Sequence, residues 1–298
     1  MTLLNTLPSG DGIANFLPSK VLFKSVKVLI FALTFLVISG CSKQPEILSL
    51  QVEIWQDGTP ISCERFENNH QQWLIRQLAF FVSDLTFSSP SGSVKPELID
   101  SPWQTAGLTL VKPALAECNS LQSVNSEESN QTNKTNKTNK SNQTRSNNFL
   151  TFRAPINVED SDTLTFSLGV PFALNHQNPL LQASPLNVPS MFWSWRAGHK
   201  FFRIDLQTNK QSWVFHLGSV GCESASTMRG PQTECVQPNR LSFRLAKLHS
   251  GTKLVMHLDR LLKGTTIDGS QSCLFHDGQD SCQILLENLQ QQDVFEWH

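Results

Sequence analysis

The chain has 298 residues, with 24 Lys and Arg against 25 Asp and Glu, and a formal net charge of −1 at pH 7. That balance, with no basic stripe, excludes the electrostatic footprint of a nucleic-acid-binding surface. The length suits one large or two small domains once any targeting segment is set aside.

The first element in chain order is such a segment. Val28 to Ile38 are apolar but for Thr34 and follow Lys20, Lys24 and Lys27, a basic region leading into a short apolar one. This eleven-residue run falls well short of the roughly 20 that a spanning helix needs. The run ends in Ile38-Ser39-Gly40-Cys41, which resembles the bacterial lipobox. Residues 1–40 therefore read as a lipoprotein signal peptide, and Cys41 as the lipidated new N-terminus. Ser42 after the cysteine suggests sorting to the outer membrane, with the protein facing the periplasm or the outside. The mature chain carries a net charge near −3, because the segment removed holds three Lys and one Asp. Residues 41–47 read as a lipid-anchored tether and 48–298 as a single domain.

Within that domain the apolar residues alternate. Leu48, Leu50, Val52 and Ile54 share one parity, as do Leu164, Phe166 and Leu168, then Phe202, Ile204 and Leu206. Leu241, Phe243 and Leu245 repeat the pattern, and so do Leu254, Met256 and Leu258. Period-two alternation in short runs broken by Pro, Gly and Asn predicts an all-β, antiparallel β-sandwich. Short helices are expected only at Gln71–Leu78 and Arg260–Lys263. Residues 125–148, rich in Asn-Lys-Thr repeats, cannot bury enough apolar surface to order themselves and read as a disordered polar insert.

Six cysteines remain beyond Cys41: Cys63, Cys118, Cys222, Cys235, Cys273 and Cys282. An even number in an exported chain reads as disulfides, and six permit 15 pairings. Proximity favours Cys222–Cys235 and Cys273–Cys282, which leaves Cys63–Cys118. A thiolate metal site is the rival reading, but no C-x-x-C occurs.

Histidine and aromatic residues crowd residues 170–220. Neutral imidazole is a common ligand of copper and zinc. On a strand, Trp213, Phe215 and Leu217 share a face, so His216 points to the other, more polar one. Trp193 and Trp195 are expected on one strand face, where tryptophan is ordinarily packing. Taken alone, a histidine on a strand is more often a surface or hydrogen-bonded residue than a ligand.

The stretches GVPFALNH, SPLNVPSMFWSWRAGHKFFRIDL and FHLGSVGC, in that order, resemble the MbnP family of periplasmic copper-binding proteins. The resemblance implies a β-sandwich that holds copper through histidines and a tryptophan-derived kynurenine. The kynurenine is made by a partner, a MauG-like di-haem enzyme of the cytochrome c peroxidase family. His176 and His216 match the family's motif histidines, and Trp193 and Trp195 its W-x-W. Cys63, Cys118, Cys222 and Cys235 match its four-cysteine pattern. His199 stands where an aromatic residue is usual, as a spare ligand or a surface residue, and neither the insert nor the Cys273–Cys282 pair belongs to the pattern. The expectation is a non-enzymatic lipoprotein for copper acquisition, storage or delivery. A copper-dependent oxidase and a metal-free structural lipoprotein are the alternatives. No paired carboxylates or nucleophile motif supports the oxidase.

Overall fold

The computed structural model describes residues 46–61, 63–68, 70–115, 146–154, 158–248, 253–275 and 280–298. The signal segment 1–40, Cys41, the tether up to residue 45, Cys118 and residues 125–145 of the insert lie outside these. The far end of the predicted insert does not behave as one: Asn147 and Lys112 exchange backbone hydrogen bonds, and Asn148 accepts one from Val52.

The strands in chain order are β1 (Glu46–Gln56), β2 (Thr59–Pro60), β3 (Arg65–Asn68), β4 (Gln71–Ser89), β5 (Gly92–Val94), β6 (Glu97–Leu98), β7 (Gln104–Thr105) and β8 (Leu108–Val111). They continue as β9 (Phe149–Ala154), β10 (Thr163–Leu168), β11 (Phe192–Ser194), β12 (Gly198–Gln207), β13 (Ser212–Gly218), β14 (Leu241–Ala246), β15 (Lys253–His257) and β16 (Phe295–Trp297). Helices are few: α1 (Phe172–Asn175), α2 (Leu258–Leu261) and α3 (Asp280–Gln290).

Among the described residues the strands form two sheets, an all-β sandwich as expected. The smaller runs β16-β15-β1-β9-β6 and the larger β11-β12-β4-β10-β14, with β13 beside β12. Pairing is antiparallel except that β1 and β15 run parallel. The two inner faces meet in one core. Phe295 of the small sheet packs edge-on against Phe80, Phe166 and Phe243 of the large one, and Phe87 lies against Phe152 and Trp297. Each alternating set read from the sequence supplies this core, including Leu50, Val52, Phe166, Ile204, Phe243 and Met256.

The helix expected at Gln71–Leu78 is instead the start of the 19-residue strand β4. Its core residues are Trp73, Ile75, Leu78, Phe80, Val82, Leu85 and Phe87. The two three-residue steps fall where the pairing register slips, opposite Asp205/Leu206 and opposite Thr165/Ser167. Each bulge turns a strand's i, i+2 spacing into i, i+3, which mimics a helix in sequence. Burying one large apolar side chain stabilises by roughly 1.5–3 kcal/mol. Helix propensity differs by at most about 0.7 kcal/mol per ordinary residue, so packing decides. The second predicted helix exists but sits two residues earlier, at α2, and α3 was not expected.

Cys222–Cys235 and Cys273–Cys282 are both formed. Cys63 is disulfide-bonded, while Cys118 lies outside the described residues. Cys273 extends the large sheet beyond β13: its carbonyl accepts from the His216 N–H at 2.8 Å, and its own N–H donates to Val214 at 2.7 Å. Among the described residues no helix is long and apolar enough to cross a membrane.

Candidate metal centre

The segment between β10 and β13 carries the sequence-predicted residues, and the fold sorts them into two clusters. The first gathers around Asn175, the last residue of α1, which is 1% exposed. Its side-chain oxygen accepts from the His199 N–H at 2.7 Å, which fixes the orientation of the amide. The amide nitrogen therefore donates, towards His176 Nε2 at 3.0 Å and Ser219 Oγ at 3.3 Å. Gly198 makes this close approach possible. A side chain there would meet the Asn175 amide at 2.5 Å, and its φ of +76° is one that glycine adopts readily.

His176 follows directly on α1. Its Nδ1 lies 3.1 Å from the Trp195 carbonyl, which can only accept, so Nδ1 carries the proton and Nε2 the lone pair. Desolvation pulls the ring below the ordinary imidazole value, opposed by the Trp195 and Arg196 carbonyls, and favours the neutral form that a metal requires. His176, Cys222 and Cys235 form the one set of three His, Cys or acidic groups that converges within 4.8 Å among the described residues. Both cysteines are tied in the disulfide, so the set offers one nitrogen and no thiolate. A cleft of about 150 Å³ opens alongside, lined by Asn175, Ser219 and Cys235 among others.

His199 is fully buried, with its ring edge-on to Phe81 and Phe192. Nδ1 faces the Asn175 carbonyl at 3.1 Å and Nε2 the Leu186 carbonyl at 2.8 Å. It is therefore not a surface residue. Burial favours the neutral ring, which has one N–H to donate, so it ties either the α1 turn or the Leu186 loop to β12.

The second cluster lies on the outward face of β12 and β13. Trp213, Phe215 and Leu217 point into the core, so His216 points away from it, as the alternation requires. The outward face is not open, however: His216 is 9% exposed. Its Nε2 donates to Asp205 Oδ1 at 2.7 Å, and Arg203 pairs with the same carboxylate. Asp205 is held down at about 2. Burial alone would raise it, and the hydrogen bonds and charges of His216 and Arg203 overcome that. Arg203 and Lys200 both donate to the Ser190 carbonyl, at 2.6 and 2.9 Å. Burial, with Arg203 nearby, lowers Lys200 to about 8.

Trp193 joins this second cluster, its ring 5.8 Å from Lys200 Nζ. It lies so close to β13 that a Cβ at Gly218 would be 2.4 Å from Trp193 Cζ3. The two tryptophans do not share a strand face as expected. β11 ends at Ser194, and Trp195 sits in the turn that follows. The motif histidines likewise belong to separate hydrogen-bond clusters, His176 beside Trp195 and His216 on the face with Trp193.

Asn175, Lys200, Arg203 and Asp205 were missed as site residues. The polar parity of Arg203 and Asp205 on β12 was visible, but their partner His216 depends on the β12–β13 register.

The sequence profile of the MbnP family matches residues 45–277. The chain belongs to the MbnP family. A solved structure, MbnP from Methylosinus trichosporium, superposes with a TM-score of 0.64 at 17% identity, over 81% of this chain and 87% of that one. At that identity the likeness to this MbnP shows the fold. No curated protein matches the chain.

Proposed function

We propose that this chain is a lipid-anchored, non-enzymatic copper-binding protein of the bacterial cell envelope. Membership in the MbnP family supports the association with copper. The residue-level reading is carried by the hydrogen bonding of the two motif histidines. A metal-ligating histidine almost always donates its second ring nitrogen to a carbonyl, carboxylate or water. His176 does so to Trp195, leaving Nε2, and His216 does so to Asp205, leaving Nδ1. His199 differs in that both of its nitrogens are buried against carbonyls, of Asn175 and Leu186. The copper would displace the Asn175 amide from His176 Nε2.

A kynurenine derived from Trp193 or Trp195 would add an aryl amine donor that indole lacks, and each tryptophan already lies beside one histidine cluster. The modifying partner is a MauG-like di-haem enzyme, and the anchor is lipid on Cys41. One experiment tests these together: purification from the native envelope, followed by metal analysis and peptide mass spectrometry. The expected result is bound copper, a lipidated Cys41 peptide and a tryptophan-to-kynurenine mass change at residue 193 or 195. Copper-free protein with both tryptophans intact would contradict the proposal.

A further inference from the structure

Away from both clusters, a polar cavity opens where β1 and β15 end. Their parallel pairing, in register at Trp55 and His257, brings Gln56 at the end of β1 beside the start of α2. Asp259 is the second residue of that helix. The chain then turns back, with the Thr265 N–H donating to the Leu262 carbonyl at 3.0 Å. The Asn288 amide of α3 fixes this turn by donating to the Leu261 and Lys263 carbonyls at 2.9 and 2.8 Å. From the large sheet, β3 adds Glu67. Gln56, Asp57, Glu67, Asp259, Lys263 and Thr265 thus line one cavity of about 430 Å³.

Three of these residues carry a buried oxygen with no hydrogen-bond partner among the described residues: Gln56 Oε1, Asp259 Oδ1 and Thr265 Oγ1. Thr265 as a whole is 6% exposed. The Gln56 amide nitrogen donates to Asp57 Oδ2 at 3.1 Å, which leaves Oε1 as the acceptor end of the amide. An ionised carboxylate can likewise only accept. Buried acceptors without a donor are rare in native proteins and point to a bound ion or water. Arg260 does not serve them, since it is engaged with Glu296 and the Asp293 carbonyl. Among the described lining residues, Lys263 is the one cation against three carboxylates, so the cavity is net negative.

The unpartnered set is one carboxylate, one amide and one hydroxyl, all oxygen, with no nitrogen or sulfur to favour copper or zinc. No three acidic groups among the described residues bring their oxygens within 4.8 Å of one another, so a cage of carboxylates alone is ruled out. Calcium does not need one. It takes about 6–8 oxygens in flexible geometry, mixing carboxylates with amide carbonyls and waters. It also sits about 2.3–2.6 Å from each oxygen, nearer than a hydrogen-bonded water comes, so oxygens closed to water can still hold it. We propose that Gln56, Asp259 and Thr265 form a calcium-type cation site, with the exposed Asp57 and Glu67 adding negative charge around it.

The test is equilibrium dialysis of the full chain, freed of metal with a chelator, against radioactive calcium chloride with magnesium present at equal concentration. The expected result is one saturable equivalent at about 10⁻⁴–10⁻³ M, the range of extracellular calcium modules. Asp259→Asn should weaken it by about tenfold or more, because affinity follows the charge of the ligands. Thr265→Val removes the unpartnered hydroxyl and keeps the side chain's shape. Without calcium it should be at least as stable as the parent, and it should lose the rise in melting temperature that calcium gives the parent. His176→Ala should bind calcium as the parent does, which separates this site from the copper reading. Absence of saturable uptake, or unchanged affinity in both Asp259→Asn and Thr265→Val, would overturn the proposal and leave water as the partner of the three oxygens.

Discussion

The His176 ring donates through Nδ1 to the backbone carbonyl of Trp195 at 3.1 Å, which leaves Nε2 as its lone-pair nitrogen. The contact ties the histidine of one family motif to the tryptophan turn of another, nineteen residues later. It makes the state of that turn a determinant of where the histidine points.

The disulfide nearest this histidine should matter for the same reason. Cys235 Sγ lies 3.6 Å from His176 Nε2. Opening Cys222–Cys235, which spans 13 positions, should destabilise the chain by about 3 kcal/mol in the chain-entropy view. Denaturant unfolding of a Cys222→Ser/Cys235→Ser variant measures this. The same variant should lose copper affinity, because the disulfide backs the His176 ring.

Gly218 should not tolerate a methyl group. An added Cβ would stand 2.4 Å from the Trp193 ring and 2.7 Å from the His199 carbonyl, the latter a backbone atom. Gly218→Ala should therefore cost about 1–3 kcal/mol, the range for overpacking. It should also displace the Trp193 ring, which red-shifted tryptophan emission would report.

The acid limb of stability should depend on Asp205. Its carboxyl falls from 3.8 to about 2 in the folded state, where its hydrogen bonds and ion pairs outweigh the cost of burial. The folded state then binds fewer protons than the unfolded one, so this contribution is present above pH 3.8 and is lost as pH falls towards 2. A shift of that size amounts to roughly 2–3 kcal/mol. Comparing unfolding free energies of the parent and Asp205→Asn between these limits should show a shallower pH dependence in the variant.

Much of the sandwich was legible because one-face burial leaves alternation in the sequence, as at Leu164, Phe166 and Leu168. β4 was not, since its two bulges reset parity at Arg76–Gln77 and near Asp84. Family motifs pointed to His176 and His216, yet what holds those rings was hidden. Asp205 meets His216 only through the pairing of β12 with β13, and Asn175 meets His199 only through the α1 turn. Hydrogen-bond partners set by long-range register leave no local pattern to read. The same holds for His257 and His298, which have no motif around them and meet Glu296 only through the pairing of strands.

The most direct test of copper binding at the motif histidines is a competition titration with a copper(I) chelator, after exposure to the MauG-like enzyme. His176→Ala and His216→Gln should each weaken copper by about tenfold or more, which corresponds to about 1.4 kcal/mol. His298→Ala should leave the copper(I) affinity of the motif site unchanged. Unchanged affinity in both the His176 and His216 variants, with circular dichroism confirming the fold, would contradict the account.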